Sequence, residues 1–382
     1  MLITMGFKKS IIAVFLLLNI QWIQSQISNF REKFVLPSEV KENSGLLFLE
    51  DKIVTHNDSG DAANLYEIDS LTGNLLRTVL ITNATHTDWE DIGEDEHNIY
   101  IADIGNNNGN RTDLKIYKIL KSDFRNNTSV TAEEISFSYE DQTDFSTQPN
   151  TSNFDAEAIV IFGNSILIFT KNWGDLQTNV YKIPTTPGNY TATKISTANI
   201  DGLITSASLY NGHFLLCGYS TALAPFLIHI APSTGASDDI FSHGFTKDSL
   251  ENELESGSQV EGIIGFDTGK YYISREHFSI SLGGNEIVFT QKLYEFSDER
   301  NGVLSINQFL KETSAFPNPV SDILHINFDF NTVAVYNSLG IEQMNYQYDK
   351  NTLDVSKLPL GIYIIVFQTE NKSTKTIKIL KE

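Results

Sequence analysis

Three glutamates recur at one position of a repeated strand pattern: Glu90 before Asp91-Ile92, Glu157 before Ala158-Ile159 and Glu261 before Gly262-Ile263. Ser44, before Gly45-Leu46, and Thr205, before Ser206-Ala207, hold the same position in two further copies. In a closed ring of sheets, a fixed position on each first strand faces the central axis, so these five side chains would converge. At a separation of about 5 Å and an effective dielectric near 20, each like-charge pair costs roughly 3 kcal/mol, and three pairs cost roughly 10. That is comparable to a whole domain's stability. A cation or bound protons must offset it. All the donors are oxygens, which selects Ca²⁺ over zinc or copper, and a loose ring of several donors suits Ca²⁺ better than Mg²⁺. The expected metal ligands are therefore Ser44, Glu90, Glu157, Thr205 and Glu261. Hydrogen bonding of the glutamates to backbone amides is the alternative.

The elements that would position this ring are short strands. In each copy a second apolar strand follows the first: Lys52-Ile53-Val54, Asn98 to Ile101, Ser165 to Ile168, His213 to Leu216 and Lys270 to Ile273. A polar loop then leads to a third strand, as in Leu65 to Ile68, Ile116 to Ile119, Val180 to Ile183, Leu227 to Ile230 and Leu293 to Phe296. A more polar fourth strand usually follows, such as Leu75 to Ile81 or Glu134 to Tyr139. Helical periodicity is almost absent. Four-stranded copies at such intervals predict an all-β chain built as a five-bladed β-propeller over residues 26–310, or six-bladed if Ser122 to Asn153 hides a degenerate copy. An irregular two-sheet sandwich is the competing architecture. Phe30 to Leu36 would supply the outer strand of the last blade, or compete with Val303 to Phe309 for that place.

One step further along each repeat, at the mouth of the second strand, lie Asn57 and Asp58, Asp103, Thr170 and Lys171, Gly218 and Tyr219, and Arg275 with Glu276 and His277. Loops on one face of a rigid scaffold commonly carry function. With a central Ca²⁺, Asn57, Arg111, Lys171 and Arg275 would hold a phosphate or carboxylate. Asp58, Asp103 or His277 would serve as general base on a metal-oriented water. Surface ion pairs and loop-fixing hydrogen bonds are the plain alternative for each. Neither a Gly-rich phosphate loop nor a Ser/His/Asp constellation is visible.

The 382 residues carry 27 Lys+Arg against 48 Asp+Glu, a net charge of -21 and a pI near 4.7, which excludes a generic nucleic-acid binder. A hydrophobic fraction of 41% excludes a disordered acidic chain. The lone Cys217 excludes an intramolecular disulfide. Lys8 and Lys9 ahead of the apolar run Ile11 to Leu18 predict a signal peptide over residues 1–25, too short for a membrane anchor. Residues 311–315 form a short joint to a small β-sandwich over 316–382. The excess acidity lies between these ends, where residues 26–313 carry -22.

Two resemblances add to this reading. The tail from Ser314 opens on Phe316-Pro317-Asn318-Pro319-Val320, continues through Val335-Tyr336-Asn337-Ser338-Leu339-Gly340 and Asp354 to Phe367, and closes on the Lys-rich run Lys372 to Lys381. It closely resembles the C-terminal sorting domain of type IX secretion cargo. The resemblance implies engagement of that secretion machinery and a surface or extracellular destination outside a Gram-negative bacterium. The five repeats, with His56 to Gly60, Asp88-Trp89-Glu90 and Val260 to Ile263, resemble the calcium-activated nucleotidase (apyrase) propellers. Together with Asp103 to Asn107 and Arg111 they are also similar to uncharacterised secreted bacterial propellers. The apyrase resemblance implies calcium at Ser44, Glu90, Glu157, Thr205 or Ser206, and Glu261. The chain departs from that pattern: the Asp-rich nucleotide-handling segment and the arginine after the first blade's second strand are not found. Two functions follow as expectations: a calcium-dependent hydrolase of phosphoesters or phosphoanhydrides, or a non-catalytic glycan- or protein-binding propeller with structural calcium.

Overall fold

The computed structural model describes residues 27–230, 239–282, 285–298, 300, 315–326, 330–337, 340–347, 352–368 and 374–382. The expected signal peptide, the strand at 303–309 and residues 311–314 of the joint lie outside the described residues.

Strand β1 (Ile27–Val35) comes first in the chain and pairs with the last sheet. The first sheet follows in chain order: β2 (Asn43–Leu49), β3 (Lys52–Asn57), β4 (Asn64–Asp69) and β5 (Leu75–Ile81). The second begins with β6 (Trp89–Glu94), β7 (Asn98–Asp103) and β8 (Lys115–Leu120). The helix α1 (Lys121–Asn126) and β9 (Ser129–Val130), on the edge of β5, lead to its fourth strand, β10 (Glu133–Tyr139). The interval from 122 to 153 therefore completes the second sheet rather than forming a separate one.

The third sheet is β11 (Ala156–Phe162), β12 (Ser165–Thr170), β13 (Gln177–Pro184) and β14 (Gly188–Asn199), the last also pairing in parallel with β10. The fourth is β15 (Leu203–Tyr210), β16 (His213–Tyr219), β17 (Pro225–Ile230) and β18 (Phe245–Ser249). In the fifth, β19 (Val260–Asp267) and β20 (Lys270–Arg275) are followed by a hairpin of β21 (Phe278–Leu282) and β22 (Asn285–Phe289). Then β23 (Lys292–Asp298) takes the third place and β1 the fourth.

The first strands touch in a closed cycle: β2 with β6, β6 with β11, β11 with β15, β15 with β19, and β19 with β2. This is the order of a β-propeller, and the return of β1 to β23 closes it with the start of the chain. The core is divided accordingly. Leu47, Val54, Trp89 and Ile101 pack between the first and second sheets; Tyr100, Ile116, Ile159 and Ile168 pack between the second and third. Val160, Phe169, Leu216 and Ile228 follow, then Leu215, Leu227, Ile263 and Tyr271, and finally Leu46, Ile53, Tyr272 and Leu293 between fifth and first. Because each sheet is covered on both faces, its middle strands read as near-continuous apolar runs, and every residue of β16 is buried. Each fully buried Leu, Ile or Phe contributes roughly 1.5–3 kcal/mol.

The tail has its own two sheets. One joins β24 (Ala315–Phe316), β25 (Ile323–Ile326) and β28 (Thr352–Asp354); the other is ordered β27 (Glu342–Gln347), β26 (Thr332–Asn337), β29 (Gly361–Gln368), β30 (Thr374–Lys381). Leu324, Val333, Val335, Leu353, Ile365 and Phe367 are buried in one cluster, the core expected of a small β-sandwich.

Candidate functional site

The repeat position with which the sequence reading began sits on a β-bulge in nearly every sheet. The β6–β7 register slips between Trp89 and Asp91, at Glu90, and the β11–β12 register slips between Ala156 and Ala158, at Glu157. The same slip occurs at Thr205 and at Glu261, and just after Ser44. A bulge twists the strand and re-aims its side chain, so one extra residue per inner strand turns the ring position away from the pleat. Ser44, Glu90, Glu157 and Glu261 line a cavity of about 250 Å³ at one mouth of the channel.

Two members of the ring act as staples between sheets. Ser44 Oγ donates to the Glu90 carbonyl, and Thr205 Oγ1 donates to the Val260 carbonyl at 2.5 Å. Thr205 does not line the cavity. Deeper in, Asp91 ties three sheets: its carboxylate accepts from Ile92 N at 2.9 Å, Ile159 N at 2.9 Å and Ser206 Oγ at 3.1 Å. Burial nevertheless pushes its pKa up to about 8.

Five carboxylates line the cavity, Asp58, Glu90, Glu157, Glu261 and Glu276, and Lys171 is the one cation among the described lining residues. Lys171 Nζ lies 2.5 Å from Glu157 Oε1 and 3.0 Å from the Tyr219 hydroxyl, with its charge over the rings of Tyr219 and Trp173. Burial disfavours its ammonium form, but the carboxylates of Glu157 and Glu261 and the accepting Tyr219 hydroxyl outweigh that and hold its pKa well above the usual range. Burial, then the Glu157 charge, raises Glu90 well above the ordinary carboxylate range. Burial, then the Glu276 charge, brings Glu261 up to about 8, even against the pull of Lys171. Burial and Asp58 bring Glu276 up to about 8, and burial and Asp88 bring Asp58 up to about 7.

The loop residues expected to handle substrate or catalysis are placed as follows. Asp58 lines the cavity, and its Oδ1 is buried without a hydrogen-bond partner. Asp103, fully buried, pairs at 2.8 Å with Arg111, whose guanidinium also donates to Asp113 and to the Gly105 carbonyl. Arg275 donates to the Thr290 carbonyl at 2.9 Å and to Ser258 Oγ at 3.1 Å. Asn57 donates to Glu39 O and Asp61 Oδ2 and accepts from Glu42 N. His277 donates its backbone N–H to Lys41 O at 2.8 Å. None of Asn57, Asp103, Arg111, Arg275 and His277 lines the cavity, so Asp58 and Lys171 alone of that set meet the ring there.

The structure gives a place to two acids that carried no expected role. Asp88 and Asp155 stand two residues before Glu90 and Glu157, just ahead of the first residues of β6 and β11. The repeated Asp-x-Glu spacing was the available signal. Asp155 is satisfied, accepting from Asn106 N at 2.6 Å and from Trp173 Nε1 at 2.8 Å. Asp88 is different: Asp58, Asp88 and Glu90 each offer an oxygen, all within 4.8 Å of one another. Gly105 packs over this trio, where an added Cβ would lie 2.0 Å from Glu90 Oε1 and 2.4 Å from Asp88 Oδ2.

Residues 314–382 match the family of secretion system C-terminal sorting domains. The tail marks the chain for type IX secretion to the cell surface of a Gram-negative bacterium. No curated protein matches the chain. Among solved structures, PorZ, an essential bacterial surface component of the type IX secretion system of Porphyromonas gingivalis, is 11% identical with a TM-score of 0.34; the alignment covers 89% of this chain and 45% of PorZ. This chain thus spans less than half of PorZ. The PQQ-bound aldose sugar dehydrogenase of Streptomyces coelicolor is 10% identical with a TM-score of 0.39, covering 70% of this chain and 97% of the enzyme. The exo-β-1,3-galactanase of Phanerochaete chrysosporium, solved with β-1,3-galactotriose, is 9% identical with a TM-score of 0.43, covering 92% and 100% respectively.

Proposed function

We propose that the exported domain is a five-bladed propeller that binds a divalent cation, Ca²⁺, at its polar mouth and serves at the cell surface as a calcium-dependent binding protein. The observation that carries this reading is the imbalance of the cavity, five carboxylates against Lys171. Carboxylates that line one cavity are rarely left with so little compensation unless they take up protons or a cation. Their all-oxygen chemistry suits a hard cation with high coordination number.

The phosphohydrolase that the apyrase resemblance implies is less well supported. Arg111 and Arg275 spend their donors on protein groups away from the cavity, and Lys171 is held by Glu157 and Tyr219. An anionic substrate would meet a cavity of its own sign, with binding left to the metal alone. The test is calorimetric titration of the chelator-treated full chain with CaCl₂, beside assays of phosphate release from nucleotides and sugar phosphates. Heat of binding and a raised Tm without turnover are expected. Absence of both heat and Tm shift would overturn calcium binding, and calcium-dependent turnover that Glu90→Gln abolishes would restore the hydrolase.

A further inference from the structure

The ring at the mouth is electrostatically divided, and the two halves are unequal. On one side Glu157 is compensated by the ammonium of Lys171 at 2.5 Å, with Tyr219 completing the contact at 3.0 Å. On the other, Glu90 is 3% exposed and lines the cavity, where Lys171, the one cation among the described lining residues, is already held by Glu157. Beside it, Asp58 Oδ1 is buried without a hydrogen-bond partner.

A carboxylate so enclosed would be expected to find two or three donors. Here the neighbours are two more carboxylates and the bare Cα of Gly105, where any side chain would collide with Glu90 and Asp88. Ca²⁺ binds oxygens at about 2.3–2.6 Å, so oxygens up to about 5 Å apart can share one ion. The 4.8 Å limit on the Asp58, Asp88 and Glu90 oxygens satisfies that condition.

We infer that the ion is held off the channel axis by Asp58, Asp88 and Glu90, while Lys171 serves as a tethered cation for Glu157 on the other side. This rests on the calcium-binding reading above and changes its ligand set: of the five ring residues only Glu90 is retained, and Asp58 and Asp88 join it. The site needs no nucleotide or phosphate group to complete its charge.

The test compares the full chain with Asp88→Asn, Asp58→Asn and the double variant Lys171→Met/Glu157→Gln, each checked for an intact unfolding transition in EDTA. Titration with CaCl₂ should give one ion per wild-type chain. Asp88→Asn and Asp58→Asn should each weaken binding at least thirtyfold. The double variant, which removes one charge of each sign, should bind within about threefold of wild type, since paired charges largely cancel in the cavity. Loss in the double variant with retention in both aspartate variants would put the ion on the axis, overturning this inference while leaving calcium binding intact. No binding by wild type would overturn both.

Discussion

Lys171→Met removes the one cation among the described residues that line the cavity. The substitution keeps an unbranched side chain of similar reach against Trp173 and Tyr219 but removes the ammonium 2.5 Å from Glu157. Glu157 is then 3% exposed with its ionic partner gone. Breaking a buried pair from one side typically costs about 3–5 kcal/mol, because the remaining charge is left desolvated. Against a typical domain stability of about 5–15 kcal/mol, that is a large fraction. At roughly 2–4 °C per kcal/mol for a domain of this size, Tm should fall by about 10 °C. Adding Glu157→Gln removes the orphaned charge, so the double variant should recover most of the loss, leaving a deficit of about 1 kcal/mol. Urea unfolding in EDTA, with equal m-values required for comparison, measures both. A single variant less than about 1 kcal/mol below wild type, or a double variant no more stable than the single, would refute the assignment of Lys171 as counter-ion to Glu157.

Three further outcomes follow from the same geometry. Burial holds Glu261 and Glu276 up at about 8. The native state therefore keeps protons that the unfolded chain releases above its ordinary carboxylate range, and stability in EDTA is full below about pH 4.5 and falls as pH rises towards 8. A Tm that rises between pH 5 and pH 8 would contradict this. Gly105→Ala would place its Cβ 2.0 Å from Glu90 Oε1, 2.4 Å from Asp88 Oδ2 and 2.5 Å from Asp88 Cγ, so both carboxyl groups must move. Calcium affinity should fall at least tenfold and unfolding in EDTA should shift by about 1–3 kcal/mol, the usual cost of overpacking; unchanged affinity by titration would count against the trio. Asp91→Asn should cost roughly 1–3 kcal/mol in urea, since an amide can no longer accept on both sides from Ile92, Ile159 and Ser206; an unchanged midpoint would remove its role as a tie between sheets.

The repeat was legible because its physical cause is local. An apolar residue stands two places after each ring residue and a second apolar strand follows, so Glu90, Glu157 and Glu261 could be aligned without knowing the topology. The long interval after α1 was ambiguous because β10 is separated from β8 by a helix and by β9, which pairs with a different sheet. Charge pairing was not legible. Lys171 and Arg275 stand at the end of a second strand and Arg111 in the loop after one, and nothing in the sequence tells their partners, which come from loops and from neighbouring strands. Asp88 and Asp155 share the spacing to the ring residue, yet only the structure separates them: Trp173 and Asn106 satisfy Asp155, whereas Asp88 faces Asp58 and Glu90. Sequence position thus set which residues converge, and the loops decided which of their charges are already neutralised.

Anomalous diffraction from crystals of the full chain grown with CaCl₂ tests the central claim most directly, because it reports the ion and its ligands together. One peak is expected within about 2.6 Å of carboxylate oxygens of Asp58, Asp88 and Glu90, with Lys171 still on Glu157. A mouth without any peak, or a peak on the axis ligated by Glu157 and Glu261 with Lys171 displaced, would contradict it.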